Sequence, residues 1–136
     1  MCNNSLIYLA SPNPNSVLQG ATLPLNTIVR RRGCSIQKSG DSVILGASGY
    51  YHVSVTETFT APVAGTVTLE GRIDNIPVTG AKASTTVATA NTEVRSLSYD
   101  FIVRVNCCNG PVTLSFVNSG VAINTSNIAV AVEYLD

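Results

Sequence analysis

The only histidine of this chain, His52, is the first place to look for chemistry. Imidazole is the one side chain whose unperturbed titration falls near neutral pH. His52 sits in the run Gly49-Tyr50-Tyr51-His52-Val53-Ser54-Val55-Thr56-Glu57-Thr58-Phe59, two residues before Ser54. A general base needs its partner within hydrogen-bond reach, and no Ser/His/Asp arrangement can be assigned around this pair. His52 is therefore expected to be a surface or interface residue. A lone histidine also excludes a metal centre built from several imidazoles in one subunit. A glycoside-hydrolysing pair would have to be drawn from acids such as Glu57, Glu70, Asp74, Glu93, Asp100 and Glu133, and their spacing singles out no pair. Glu57 is anomalous because it falls on the apolar face of its run. Either that face opens to solvent near the strand end, or Glu57 pairs with an arginine such as Arg104, since a buried carboxylate needs a partner.

Cys2, Cys34, Cys107 and Cys108 complete the reactive inventory. They form no CxxC pair, which argues against zinc, and they are not spaced as a disulfide framework. The leading expectation is small buried apolar side chains. The next is one bridge, Cys34 to Cys107 or Cys108, formed in an oxidising medium. No Gly-rich phosphate loop is present. The sequence thus implies no catalytic residue, no cofactor and no metal, and the chain is expected not to be an enzyme.

Charge narrows the partners. Eight basic and eight acidic residues cancel, so no global field attracts nucleic acid or an anionic membrane. Only 12% of residues are charged, about half the usual ~25%, which fits a chain that hides surface against copies of itself. The cluster Arg30-Arg31-Arg32 cannot share one strand face, so it reads as a solvated or inter-subunit salt-bridging run rather than a groove-reading patch. No secretory signal is visible at the start, and no stretch approaches the ~20 apolar residues of a membrane-spanning helix.

The elements that must position these residues are strands. Helical periodicity is nearly absent, whereas residues 50–60 alternate strictly: Tyr51, Val53, Val55 and Phe59 on one face, His52, Ser54, Thr56 and Thr58 on the other. Strands are expected at 5–10, 27–32, 35–38, 42–45, 50–60, 66–73, 76–81, 84–90, 95–106, 112–118, 121–123 and 128–135, with 84–90 weakly patterned. Residues 11–15 (Ser-Pro-Asn-Pro-Asn) read as loop, and Asp74-Asn75 as a hairpin turn. Short strands punctuated by turns indicate an all-β sandwich, here a jelly roll of about ten strands in one domain spanning 1–136, with 1–26 as N-terminal strand and extended arm. The last strand is distinctive. Ile128, Val130, Val132 and Tyr134 share one face; Ala129, Ala131, Glu133 and Leu135 share the other. Small residues on the second face permit close approach of another backbone, so a neighbouring subunit is expected to cover it.

The segment Ser42-Val43-Ile44-Leu45, followed by Gly49-Tyr50-Tyr51 entering a long strand, resembles the strand entry of the complement globular-head and tumour necrosis factor-like jelly rolls, especially their bacterial and phage members. The later strand order resembles theirs across nearly the whole chain. The resemblance implies a compact homotrimer in which inner-sheet strands meet near a threefold axis. Mapped here, those strands carry Tyr51, Tyr99, Phe101 and Tyr134, which join Ala129 and Ala131 as expected interface residues. It also allows calcium, with Asp74 and Asn75 as the nearest oxygen ligands, short of the 6–8 that calcium takes. No collagen-like repeat or heptad precedes the head. That favours a virion component of a bacteriophage (head fibre, capsid decoration or receptor-binding tail tip), made in the host cytoplasm. Its partners would be other virion proteins or a host-surface glycan or protein. The alternative is an adhesin head on a bacterial cell or spore surface, and a glycan-directed enzyme is the remote one.

Overall fold

The computed structural model describes residues 5–106 and 111–135. In chain order its strands are β1 (Leu6–Ser11), β2 (Asn15–Val17), β3 (Thr27–Arg32), β4 (Ile36–Ser39), β5 (Ser42–Leu45), β6 (Gly49–Thr60), β7 (Gly65–Ile73), β8 (Ile76–Val87), β9 (Arg95–Val105), β10 (Val112–Asn118) and β11 (Ile123–Leu135). Among the described residues no helix is long and apolar enough to cross a membrane.

Two antiparallel sheets face each other. Sheet A runs β3-β1-β11-β6-β9, with β2 also on β11; sheet B runs β4-β5-β10-β7-β8. Alternation in the sequence dictates which side chains enter the space between them. Tyr51, Val53, Val55 and Phe59 of β6 and Ile128, Val130 and Val132 of β11 are all fully buried. Leu97, Tyr99, Phe101, Val103 and Val105 of β9 point the same way, and sheet B answers with Val43, Leu45, Val67, Leu69, Leu114 and Phe116.

Three local features differ from the sequence reading. Residues 15–17 pair with β11 (Val17↔Ile123) rather than lying in loop. The pieces expected at 76–81 and 84–90 are one strand, β8, whose register shifts opposite Glu70–Arg72. Gly80, at φ 85°, supplies the left-handed residue of that irregularity. Likewise 121–123 and 128–135 merge into β11 through a bulge between Thr125 and Asn127. The segment after β2 is knit into the body: Leu23 and Leu25 are fully buried, and Leu23 N donates to Phe116 O at 2.7 Å. The hairpin at Asp74-Asn75 has both residues at positive φ, 51° and 68°, the backbone that a tight turn between twisted strands requires.

Candidate functional site

The outer face of sheet A is a surface built from regular structure. Register places Tyr8, Ala131, Ser54 and Asp100 side by side across β1, β11, β6 and β9, with Ala10, Ala129, Thr56 and Ser98 in the next row. The preceding row is Leu6, Glu133, His52 and Ile102. Small side chains lie in the middle, and Tyr8, Tyr50 and Ile102 project at 37%, 49% and 56% exposure. The face also carries His52, Asp100, Glu133 and Arg104, with Arg30 and Arg32 of β3 in register with Tyr8 and Leu6; the small side chains and isolated apolar projections between these charges make a surface that protein can cover.

His52 lies on this face between two acids. Its Nε2 is 3.2 Å from Asp100 Oδ2 and its Nδ1 is 3.3 Å from Glu133 Oε1. A neutral imidazole donates to only one of them, whereas an imidazolium donates to both. With both nitrogens facing carboxylates, His52 has none left to activate Ser54. The arrangement is a cross-strand charge cluster, not a nucleophile–base pair. Arg104 lies on the same face, 5.7 Å above the Tyr50 ring, a cation–π contact.

Glu57 corrects both expectations held for it. Its face does not open to solvent, and Arg104 is on the opposite side of the sheet. Glu57 is fully buried, and neither of its carboxylate oxygens has a hydrogen-bond partner among the described residues. Burial pushes its pKa up to about 8, so it is uncharged at neutral pH. The Tyr99 hydroxyl on the adjacent strand is likewise buried without a partner. Burial first, then the nearby Glu57 and Glu70 carboxyls, raises its pKa. Glu70 itself is held by Arg72 at 2.6 Å. Sequence parity placed Glu57 inside; nothing in the sequence marked Tyr99 as its neighbour.

The structure divides the six residues expected at an interface. Ala129 and Ala131 lie on the outer face of sheet A. Tyr51 is fully buried, Tyr99 and Phe101 are 8% exposed, and all three belong to the core. Tyr134 packs against that core, edge-on to Tyr51 at 5.2 Å between ring centroids. Tyr51 therefore has no surface to offer another chain. The tyrosine pair instead anchors the entry of β6. Tyr51 Oη donates to Ala47 O at 2.6 Å and accepts from Ala47 N at 3.1 Å, and Tyr134 Oη donates to Ser48 O at 2.9 Å. A Cβ on Gly49 would fall 2.7 Å from Tyr134 Oη, and Gly49 has φ 134°; only glycine fits there.

Cys34 is exposed rather than buried and is disulfide-bonded. This overturns the expectation of a buried apolar thiol at that position. Cys2, Cys107 and Cys108, and with them the expected pairings, lie outside the described residues. The Arg30–Arg32 run is exposed along all of β3. At the suggested calcium position, Asp74 Oδ1 accepts from Thr113 N at 2.9 Å. Among the described residues no group of three or more His, Cys, Asp or Glu side chains is arranged to hold a metal ion.

Two sheets of five principal strands in this order, with β6 entered through Gly49-Tyr50-Tyr51, define the tumour necrosis factor-like jelly roll of the complement globular heads. No protein-family model and no curated protein matches the sequence. Among solved structures, the PRD1 vertex protein P5 matches 97% of this chain and 97% of its own, at 17% identity and a TM-score of 0.64. The globular domain of zebrafish complement 1qA covers 96% of each chain at 10% identity and 0.66. The Eiger TNF of S. frugiperda covers 99% of this chain and 93% of its own at 10% identity and 0.68. None of the three is named as an enzyme.

Proposed function

We propose that this chain is a non-enzymatic assembly and binding module that works as a homotrimer in a bacteriophage virion. It would serve as a head fibre, a capsid decoration or a receptor-binding tip, meeting other virion proteins or a host-surface glycan or protein. The observation that carries the reading is the end-to-end likeness to a phage virion vertex protein, 97% of both chains. The outer face of sheet A supplies the physical means. Ala129, Ala131 and Ala10 let a neighbouring copy approach closely, while Tyr8 and Ile102 offer apolar area to bury. The Tyr99–Phe101 strand, β9, ends the same sheet and is the edge such a copy would meet. A stable trimer of this kind would bury more than ~2,000 Å².

Light scattering at micromolar concentration tests the assembly. The expected mass is three times the 14.2 kDa of the chain. Ala131→Arg sets a long charged side chain between Tyr8 and Ser54 and is expected to lower that mass to one chain without changing the circular dichroism. A wild-type monomer, or an Ala131→Arg variant that stays trimeric, refutes the face assignment. Gold-labelled antibody on purified particles tests the location: label on phage particles supports the virion role, and label confined to bacterial cells or spores refutes it.

A further inference from the structure

The outer face of sheet B carries a cleft that neither the core nor the proposed assembly face uses. Residues 20–23 line up beside the C-terminal half of β10, with Leu23 N donating to Phe116 O at 2.7 Å and Asn118 N donating to Ala21 O at 3.0 Å. Strand β5 pairs only with the N-terminal half, from Val112↔Leu45 to Leu114↔Val43. A gap is left between them. From the opposite flank the β7–β8 turn is fastened to β10: Asp74 N donates to Thr113 O at 2.8 Å, and Thr113 N donates to Asp74 Oδ1 at 2.9 Å. The cavity so formed measures about 380 Å³ and is lined by Thr22, Ser42, Asp74, Asn75, Thr113 and Ser115.

Every lining side chain is polar. The hydroxyls of Thr22, Ser42, Thr113 and Ser115 make no hydrogen bond with another described residue. Ser115 is only 7% exposed and forms the floor. A hydroxyl donates one hydrogen bond and accepts two, so the wall presents unspent donors and acceptors. Charge then selects the ligand. Asp74 is the one ionisable lining group, and one of its oxygens is already held by Thr113. Arg72, opposite Ser115 on β7, is committed to Glu70 at 2.6 Å. An anion would meet a carboxylate, and no cation is among the lining residues. A calcium ion, which takes 6–8 oxygens and favours several carboxylates, would meet one carboxylate. An apolar ligand would meet no apolar wall, against the usual lining of such sites. A molecule bearing a hydroxyl on each successive carbon, able to give and take hydrogen bonds along one edge, matches what is left.

We propose that this cleft binds a neutral saccharide. The site is complete within one chain and stands whether or not the chain is trimeric. Separate titrations of isotope-labelled full-length protein with glucose, galactose, mannose and N-acetylglucosamine, followed by amide proton–nitrogen correlation spectra, test it. At least one of these sugars is expected to shift the amides of residues 22, 42, 74–75, 113 and 115 saturably. Thr113→Val and Ser115→Ala each remove a hydroxyl and are expected to weaken binding about fivefold, and together about 25-fold, at unchanged mass and melting temperature. Should that pair disturb β10, Thr22→Val with Ser42→Ala removes two hydroxyls from outside the strand and is expected to weaken binding equally. The proposal is overturned if none of the sugars shifts these amides saturably, or if variants that fold bind as the wild type does. Saturation of the same amides by calcium chloride, or by N-acetylneuraminic acid alone among sugars, overturns it as well.

Discussion

Replacing Glu57 by glutamine should make this protein more stable at neutral pH, and the gain should vanish in acid. The carboxyl has its ordinary value of 4.5 in the unfolded chain and is pushed up to about 8 by burial in the folded one. Below pH 4.5 it is protonated in both states and imposes no linkage cost. Between 4.5 and about 8 the unfolded chain releases the proton while the folded chain holds it, so stability falls as pH rises. At 1.36 kcal/mol per pH unit, the loss reaches ~3 kcal/mol at pH 7 and ~5 kcal/mol once the folded-state value is passed. Glu57→Gln keeps the shape and removes the titration. Its stability minus that of the wild type should grow across this window and then level off. Urea unfolding of both proteins at several pH values, at one protein concentration so that assembly does not confound the comparison, measures the difference directly. A difference that stays constant with pH, or a carbon-13 titration that places the Glu57 carboxyl near 4.5, refutes the reasoning.

Two other perturbations probe the frame. At Gly120 an added Cβ would lie 2.5 Å from both Thr66 O and Thr68 N. These are backbone atoms that cannot step aside, so Gly120→Ala is expected to destabilise by at least ~1–3 kcal/mol, read as a lowered urea midpoint; an unchanged midpoint refutes the packing. Cys34 is disulfide-bonded, so a thiol reductant is expected to lower stability by ~2–4 kcal/mol. Peptide mapping of the unreduced protein would identify the partner, and an indifferent midpoint would show that the bridge does not constrain the fold.

What could be read from the residues was set by the period of the pattern. Strands β6 and β9 announced themselves because large apolar side chains at every second position have one physical explanation, a sheet with two unlike faces. Parity alone also assigned Tyr134 to the side of Val130 and Val132, and Tyr51 to the side of Val53. The strand-level resemblance drew both toward a subunit contact, and the structure follows parity. Strand β2 was illegible because it is three residues long, begins on the last residue of a Pro/Asn cluster and carries no period at all. Gly80 made one strand look like two, since a left-handed residue within a pairing strand reads as a break. The saccharide cleft had no linear signature: its hydroxyls come from positions 22, 42, 113 and 115, and only strand pairing brings them together. The orphaned Glu57 was half legible. Its inward direction was plain, and parity also sets Arg104 on the outer side of β9; what parity cannot show is that, among the described residues, no other cation reaches the carboxyl from the facing sheet.

Strand β3 ends sheet A, and its last three residues are the exposed Arg30, Arg31 and Arg32. A terminal strand is a template on which another molecule's strand can be laid. Here the template is studded with guanidinium groups, and two such borders brought alongside would repel. Endless ribbon growth through that border is disfavoured, leaving contacts that close on themselves. The basic run, read from the sequence as a solvated or inter-subunit salt-bridging stretch, thus also stands as a fence against fibrils.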